Sequence, residues 1–455
     1  MHHGPTNGFG SPGSPRSRIT RRGAAACLLA VGLVATACGS SATSTSTTKA
    51  SIPGSSSTTA PGTTGPGSTA GSTGGGGTTG ETTGLTSSTI NIAEIADLSG
   101  PVPGLFQGAL YGTEAWAAYV NANGGIDGRK VVLNLKDSAL SCPTFTNDIA
   151  SVVNTSFASV GTEAIFDGCG AATFKAHSDF PDIQAGIVTP TLFPLPNVFD
   201  VEPLPAGGIT TTYQYVKDKF PSAITATAGI YGSAATASYN EESNAAKAIG
   251  FKYLYARGIG DAETNFTADI LRMKADGIKV VDMQVADYTK VADFLQQAEQ
   301  QDFHPDAVVS AVSYDPGFFQ ILGSADASSL VIGLQVSLYL DPNSAIANVQ
   351  NLNKYLAIVH PGAKGTEYAV EAFASGLLFQ QAMAAAGANP TRSSVISAID
   401  NIHSFDAGGM IGPSDPGTKV PAVCEVIAGV HDGAFVRVTP ASGFECNGTF
   451  VPYSS

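Results

Sequence analysis

The chain is short of cations: 23 lysines and arginines face 37 acidic residues, and four of the arginines crowd positions 16 to 22. Without those four the formal charge moves from −14 to −18. So acidic a chain is repelled by nucleic acid and by anionic lipid headgroups, and neither is expected as a partner. Long apolar runs are also missing. The greasy stretch from Gly23 to Val34 falls short of the roughly 20 residues that cross a bilayer, and no later segment is long enough either. Catalytic punctuation is scarce as well. No G-x-S-x-G elbow, HExxH or P-loop occurs, and Gly258-Ile259-Gly260 lacks the third glycine of a dinucleotide fingerprint. The seven histidines are scattered and no CxxC is present, so neither a metal nor a cofactor is expected.

What is there begins with an address. Arg16, Arg18, Arg21 and Arg22 followed by the greasy run read as an export signal over residues 1–37. Val34-Ala35-Thr36-Ala37-Cys38 resembles a bacterial lipobox, which implies a diacylglyceryl anchor on Cys38, two chains being what stable anchoring takes. An ordinary secretory signal cleaved near Ala37 leaves the chain on the same side of the membrane. Thr20-Arg21-Arg22 faintly resembles a twin-arginine signal. From Gly39 to Ser88 the composition is almost wholly Ser, Thr, Gly and Pro, too polar to offset ordering entropy. Residues 38–88 are expected to be a tether with a reach of about 40 Å.

Residues 89–455 suffice for two lobes. Cys27 leaves with the signal, so Cys142, Cys169, Cys424 and Cys446 remain outside the cytoplasm. An even set there suggests two disulfides; three connectivities are open, and the sequence-local pairs Cys142–Cys169 and Cys424–Cys446 are expected. Ile90 to Ala96 and Val131 to Leu135 read as strands. Between them Leu110, Ala117 and Val120 mark a helix that Asn123-Gly124-Gly125 stops. Behind Pro143, the residues Phe145, Ile149, Val152 and Val153 form a buried helical stripe. Ala164–Phe166, Gly186–Thr189, Thr225–Tyr231, Val280–Val285, Ala307–Val312 and Leu330–Leu334 read as further strands, with helical patterns such as Val291, Leu295 and Ala298 between them. A long helix from Tyr368 ends at Gly387, Asn389-Pro390-Thr391 restarts another, and the tail turns strand-like at Gly433–Val438. Strands apolar on both faces that alternate with helices give an α/β fold with parallel sheets covered on both sides. Such sheets bind ligands beyond the carboxyl ends of their strands.

At those loops the sequence resembles the type I periplasmic binding proteins, in particular the branched-chain amino acid (Leu/Ile/Val) binders of ABC importers. Leu98-Ser99-Gly100-Pro101-Val102, Gly112, the run Asn121 to Gly128, and Thr189-Pro190-Thr191 carry the resemblance, with Cys142 and Cys169 where that branch has a disulfide. The resemblance implies two doubly wound parallel-sheet lobes, a hinge and a ligand cleft between them. Residues 89–207 with 337–418 would form the first lobe, and 208–336 with 419–455 the second. It further implies a monomer that captures a small molecule, delivers it to an ABC permease and touches the membrane only through its anchor. Carried over by position, the ligand set is Leu105, Phe106, Gly170, Ala171, Thr191 and Phe193 in the first lobe, and Thr236, Asp287, Tyr288, Tyr314 and Asp315 in the second. Gly170 stands where the family has a serine and Phe193 where it has a threonine, which weakens a carboxylate-binding half. Asp287 or Asp315 would meet a ligand cation.

Each of these has a plainer reading. Leu105, Phe106 and Phe193 would serve as core, Gly170 and Ala171 as a helix start, Asp287 and Asp315 as helix caps, and Tyr288 and Tyr314 as lobe contacts. A ligand-sensing or cell-surface interaction protein on the same fold is the alternative function. A secreted enzyme using the Cys169 thiol is the third, and pairing of that cysteine argues against it.

Overall fold

The structure, a computed structural model, describes residues 80–260 and 262–453. The export signal and Cys38 lie outside the described residues. The expected tether does not run to residue 88. Glu81 accepts from the Ser393 N–H at 2.9 Å, its carbonyl takes the Arg392 N–H, and Leu85 bridges to Ile90. Carbonyls add to the hold: Gly84 takes the Asn91 N–H at 2.8 Å and Thr86 the Arg129 Nε–H at 3.0 Å.

The first sheet is built from β1 (Thr89–Ala96), β2 (Lys130–Asp137), β3 (Ala158–Thr162), β4 (Asp182–Gln184) and β5 (Val198–Asp200), in the order β2-β1-β3-β4-β5 and parallel throughout. Its connections include α1 (Gln107–Ala122), α2 (Cys142–Val152) and the short α3 (Ala171–Ala176). Helix α1 turns Ala109, Thr113, Trp116, Ala117 and Val120 inward at helical spacing and stops at Asn123, where Gly124 and Gly125 take positive φ. The α2 stripe Phe145, Ile149, Val152 and Val153 is fully buried, each side chain contributing about 1.5–3 kcal/mol by leaving water.

The second sheet follows. After β6 (Gly207–Ile209) and α4 (Thr211–Lys219) come β7 (Thr227–Gly232), α5 (Thr236–Ala248), β8 (Tyr253–Ile259), α6 (Thr267–Ala275), β9 (Val280–Asp282), α7 (Tyr288–Gln300), β10 (Ala307–Ser310), α8 (Phe318–Leu322) and β11 (Leu330–Leu334). The chain then returns to the first sheet with α9 (Ala347–Val359), α10 (Glu367–Ala386) and α11 (Arg392–Asp400). It ends in the second with β12 (Val426–His431) and β13 (Ala434–Thr439), while β14 (Phe450–Pro452) pairs antiparallel with β6. The order β13-β12-β11-β10-β9-β7-β8 is parallel from β11 to β8, while β12 adds antiparallel to β11 and β13 antiparallel to β12. The α/β fold with two parallel-sheet lobes is as the sequence indicates.

Helix α10 crosses α1 at small residues. A Cβ on Gly112 would lie 2.3 Å from the Ala369 carbonyl oxygen, and one on Gly376 2.1 Å from the Trp116 ring. Thr391 caps α11 in a reciprocal box with Ser394, at the restart expected there. Both disulfides, Cys142–Cys169 and Cys424–Cys446, are the sequence-local ones. No helix among the described residues is long and apolar enough to cross a membrane.

Two expected strands are displaced. β3 stops at Thr162 and β4 at Gln184, so Ala164–Phe166 and Gly186–Thr189 lie beyond the strand ends. Side chains take over from the ladder there: Asp97 Oδ2 accepts the Ile165 N–H at 2.8 Å, and Asp167 Oδ2 accepts those of Val188 and Thr189. Three crossing segments join the two sheets and hydrogen-bond to one another. The Ser337 N–H donates to the Met410 carbonyl at 2.7 Å, Gly412 N–H to Gln335 at 2.8 Å, and Ala422 N–H to Pro203 at 2.9 Å.

Candidate functional site

Because the strands of the first sheet are parallel, their carboxyl ends share an edge, and the loops leaving β1, β3 and β4 form one rim. Carboxylates brace it. Asp97, fully buried, accepts from the Ser138 hydroxyl at 2.5 Å and the Leu140 N–H at 2.8 Å besides Ile165, which ties the exits of β1, β2 and β3 together. Asp137 accepts from the N–H groups of Leu98, Ser99 and Ala139, which hold its pKa below the ordinary carboxylate value against the opposing effect of burial. On this fixed rim Val102, Ile165, Phe166 and Val188 stand open, Phe166 at 41 % exposure. Sequence reading missed Ile165, Phe166 and Val188 because it took their two loops for strands.

Of the residues carried over by resemblance, Leu105 is half-buried beside Phe106, whose ring meets Tyr368 edge-on at 5.0 Å. Gly170 is buried with Phe145 and Phe174 against its Cα, so it packs. Ala171 opens α3 half-buried, and Thr191 is exposed. Phe193 packs on the cluster around Phe145 while its carbonyl takes the Lys419 ammonium at 3.0 Å.

In the second lobe Thr236 is exposed and bonds its own loop at the Ser233 carbonyl. Asp287 caps α7, its Oδ1 accepting from the N–H and hydroxyl of Thr289, and Asp315 accepts the Gly317 N–H at 2.7 Å. Burial, then the Asp287 charge, raises the Asp315 carboxyl above its ordinary value. Tyr288 joins them, since a Cβ on Gly317 would lie 2.8 Å from its hydroxyl and 3.1 Å from Asp315 Oδ1. Tyr314 does not join them. Its ring is buried against Tyr339 and Phe435, where aromatic packing holds it away from that cluster.

Between the rims and the crossing segments lies a group of acids. Glu163 leaves β3, Asp200 and Glu202 leave β5, and Glu367 and Glu371 stand one turn apart at the start of α10. Burial, then the charges of Glu367, Glu163, Glu202 and Asp200, pushes the Glu371 carboxyl well above its ordinary value, and burial raises Glu367 to about 7. Asp200 is satisfied by the N–H groups of Ile187 and Glu202 at 2.9 Å each. Glu163 Oε2 and both carboxylate oxygens of Glu202 have no hydrogen-bond partner among the described residues, although these side chains are only 5 % and 7 % exposed. The Gly412 N–H that approaches Glu202 is committed to Gln335. Glu367, Tyr368 and Glu371 keep part of their surface open. The sequence carried one signal for this group: a like-charged i,i+4 pair on an otherwise apolar helix is unfavourable without a reason.

The chain belongs to the periplasmic binding protein family, which matches residues 89–439. Solved structures agree in fold. The fatty acid ABC transporter substrate-binding protein of Thermomonospora curvata aligns with a TM-score of 0.63 at 15% identity over 81% of this chain and 95% of its own. The branched-chain amino acid substrate-binding protein LivJ of Streptococcus pneumoniae, in complex with isoleucine, gives 0.57 at 15% over 77% and 100%. The leucine-binding protein LivK of Thermotoga maritima gives 0.57 at 15% over 77% and 98%. No curated protein matches the sequence.

Proposed function

We propose that this member of the periplasmic binding protein family captures a small organic solute between its two lobes outside the cytoplasm and delivers it to an ABC permease. The observation that carries this reading is the set of three crossing segments hydrogen-bonded side by side, beneath rims contributed by both sheets. Such a bundle lets the lobes rotate as units while their cores stay packed. A solute that touches both rims only when they approach favours the closed form through its differential affinity, and the permease reads the closed outline. In this reading lobe 1 takes residues 89–207 with 337–418, lobe 2 takes 208–336 with 419–455, and a lipid on Cys38 holds the monomer at the membrane. The bridge from Cys169 to Cys142 argues against Cys169 as a thiol nucleophile.

Small-angle scattering with calorimetry over a broad metabolite panel tests the proposal. At least one compound is expected to give heat together with a smaller radius of gyration. Neither heat nor compaction across the panel would remove the clamshell reading.

A further inference from the structure

We infer that the solute is an organic cation with an apolar body, an ammonium, amidinium or guanidinium compound without a free carboxylate, whose charge rests on a floor made by Glu163, Glu202, Glu367 and Glu371. This deepens the solute-binding proposal and rests on it.

The floor converges from three stretches of chain distant in sequence, the exit of β3, the exit of β5 and the first turns of α10. Three other acids near this rim, Asp97, Asp137 and Asp200, accept two or three N–H or hydroxyl groups each. Glu163 Oε2 and both oxygens of Glu202 accept none while more than nine-tenths buried. A buried carboxylate without donors is strongly unfavourable, and a cation arriving from the cleft removes the penalty and strengthens the contact as water leaves. Among the described residues no three His, Cys, Asp or Glu side chains come together as a metal would require. Lys419 acts on Asp200, but its ammonium is committed to the Phe193 and Leu195 carbonyls at 3.0 and 2.6 Å. Val102, Ile165, Phe166 and Val188, exposed on the loops leaving β1, β3 and β4, are the apolar side chains assigned to the solute's body. A ligand carboxylate placed on this floor would meet like charge.

The test titrates the full chain at pH 8 by calorimetry with agmatine, hexylamine and phenethylamine, and with hexanoate, phenylacetate and leucine as counterparts, alongside Glu163→Gln and Glu202→Gln. At least one of the three cations is expected to bind, and each variant to weaken it tenfold or more while melting at or above the parent temperature. Equal affinity in parent and variants would overturn the floor as the seat of the charge. Binding of hexanoate, phenylacetate or leucine with compaction in scattering would overturn the cation while the solute-binding proposal stands. Failure of all six overturns the inference for these cations, and the broad metabolite panel then decides the clamshell reading separately.

Discussion

The two lobes treat acidic residues at their rims in opposite ways. In the second lobe Asp287 and Asp315 are occupied locally, one capping α7 and the other closing the turn to Gly317. On the first lobe and its crossing segment, Glu163 and Glu202 sit deep with oxygens to which no described residue donates. An acid satisfied by its own loop shapes that loop and has less left for a ligand. An acid left bare under a cleft is poised for something that arrives. The resemblance drew attention to the first kind, and the packing draws it to the second.

Breaking each disulfide in turn probes the contrast most severely. Cys142–Cys169 ties the start of α2 to the loop after β3, and Cys424–Cys446 ties the tail to the third crossing segment, across 27 and 22 residues of sequence. The chain-entropy model gives each about 3–4 kcal/mol of stability. Replacing either pair by serine should cost that amount in denaturant melts. Loss of the first pair should also weaken solute binding, because it frees the loop that carries Phe166. Unchanged affinity there would show that the first rim does not hold the solute.

Acidity is the next lever. Burial raises Asp182 and Glu367 to about 7 and Asp200 to about 6, all on the first lobe, and Glu425 to about 7 beside the crossing segments. Unfolded carboxyls titrate near 4, so between about pH 4 and 7 the folded form holds more protons than the unfolded one, and stability falls as pH rises. Each such group accounts for on the order of 1.4 kcal/mol per pH unit inside its window. Lys419 adds no slope there: burial lowers it to about 8, so its penalty develops as pH drops from 10.5 to 8 and is constant below. Asp137, Glu263 and Asp415, held low by their partners, lose their contribution only below the ordinary carboxylate range. Ligand-free protein should therefore melt progressively lower as pH rises from 5 to 7. A flat profile from 5 to 7 would mean that the buried acids have counter-charges of their own.

The fold was legible because its signals are local: glycines after α1, an apolar stripe on α2, a capping box at Thr391 and even-numbered cysteines each act within a few residues or a single pairing. The loops were less legible. Ile165, Phe166 and Val188 have the composition of a strand, and what removes their backbone from the ladder is Asp97 and Asp167, acids from other positions that periodicity does not register. The floor was harder still, since Glu163, Glu202 and Glu367 span more than 200 positions and meet only after both lobes fold. Tyr314 shows the converse, a residue suggested by resemblance whose ring packs on Tyr339 and Phe435.

The smallest effects draw the contrast most sharply. Asp287→Ala removes the side-chain acceptor at the start of α7, and loss of such a cap costs about 1 kcal/mol, so the variant should melt slightly lower. Glu202→Gln keeps the shape, exchanges a desolvated carboxylate for a neutral amide and relieves repulsion with Glu367 and Asp200, so ligand-free protein at pH 8 should gain about 1 kcal/mol or more. Paired thermal melts thus read the two rims with opposite signs. A stabilising Asp287→Ala would mean that the cap is dispensable and that this acid too is held ready for a ligand. A destabilising Glu202→Gln would mean that its carboxylate already has a partner in solution.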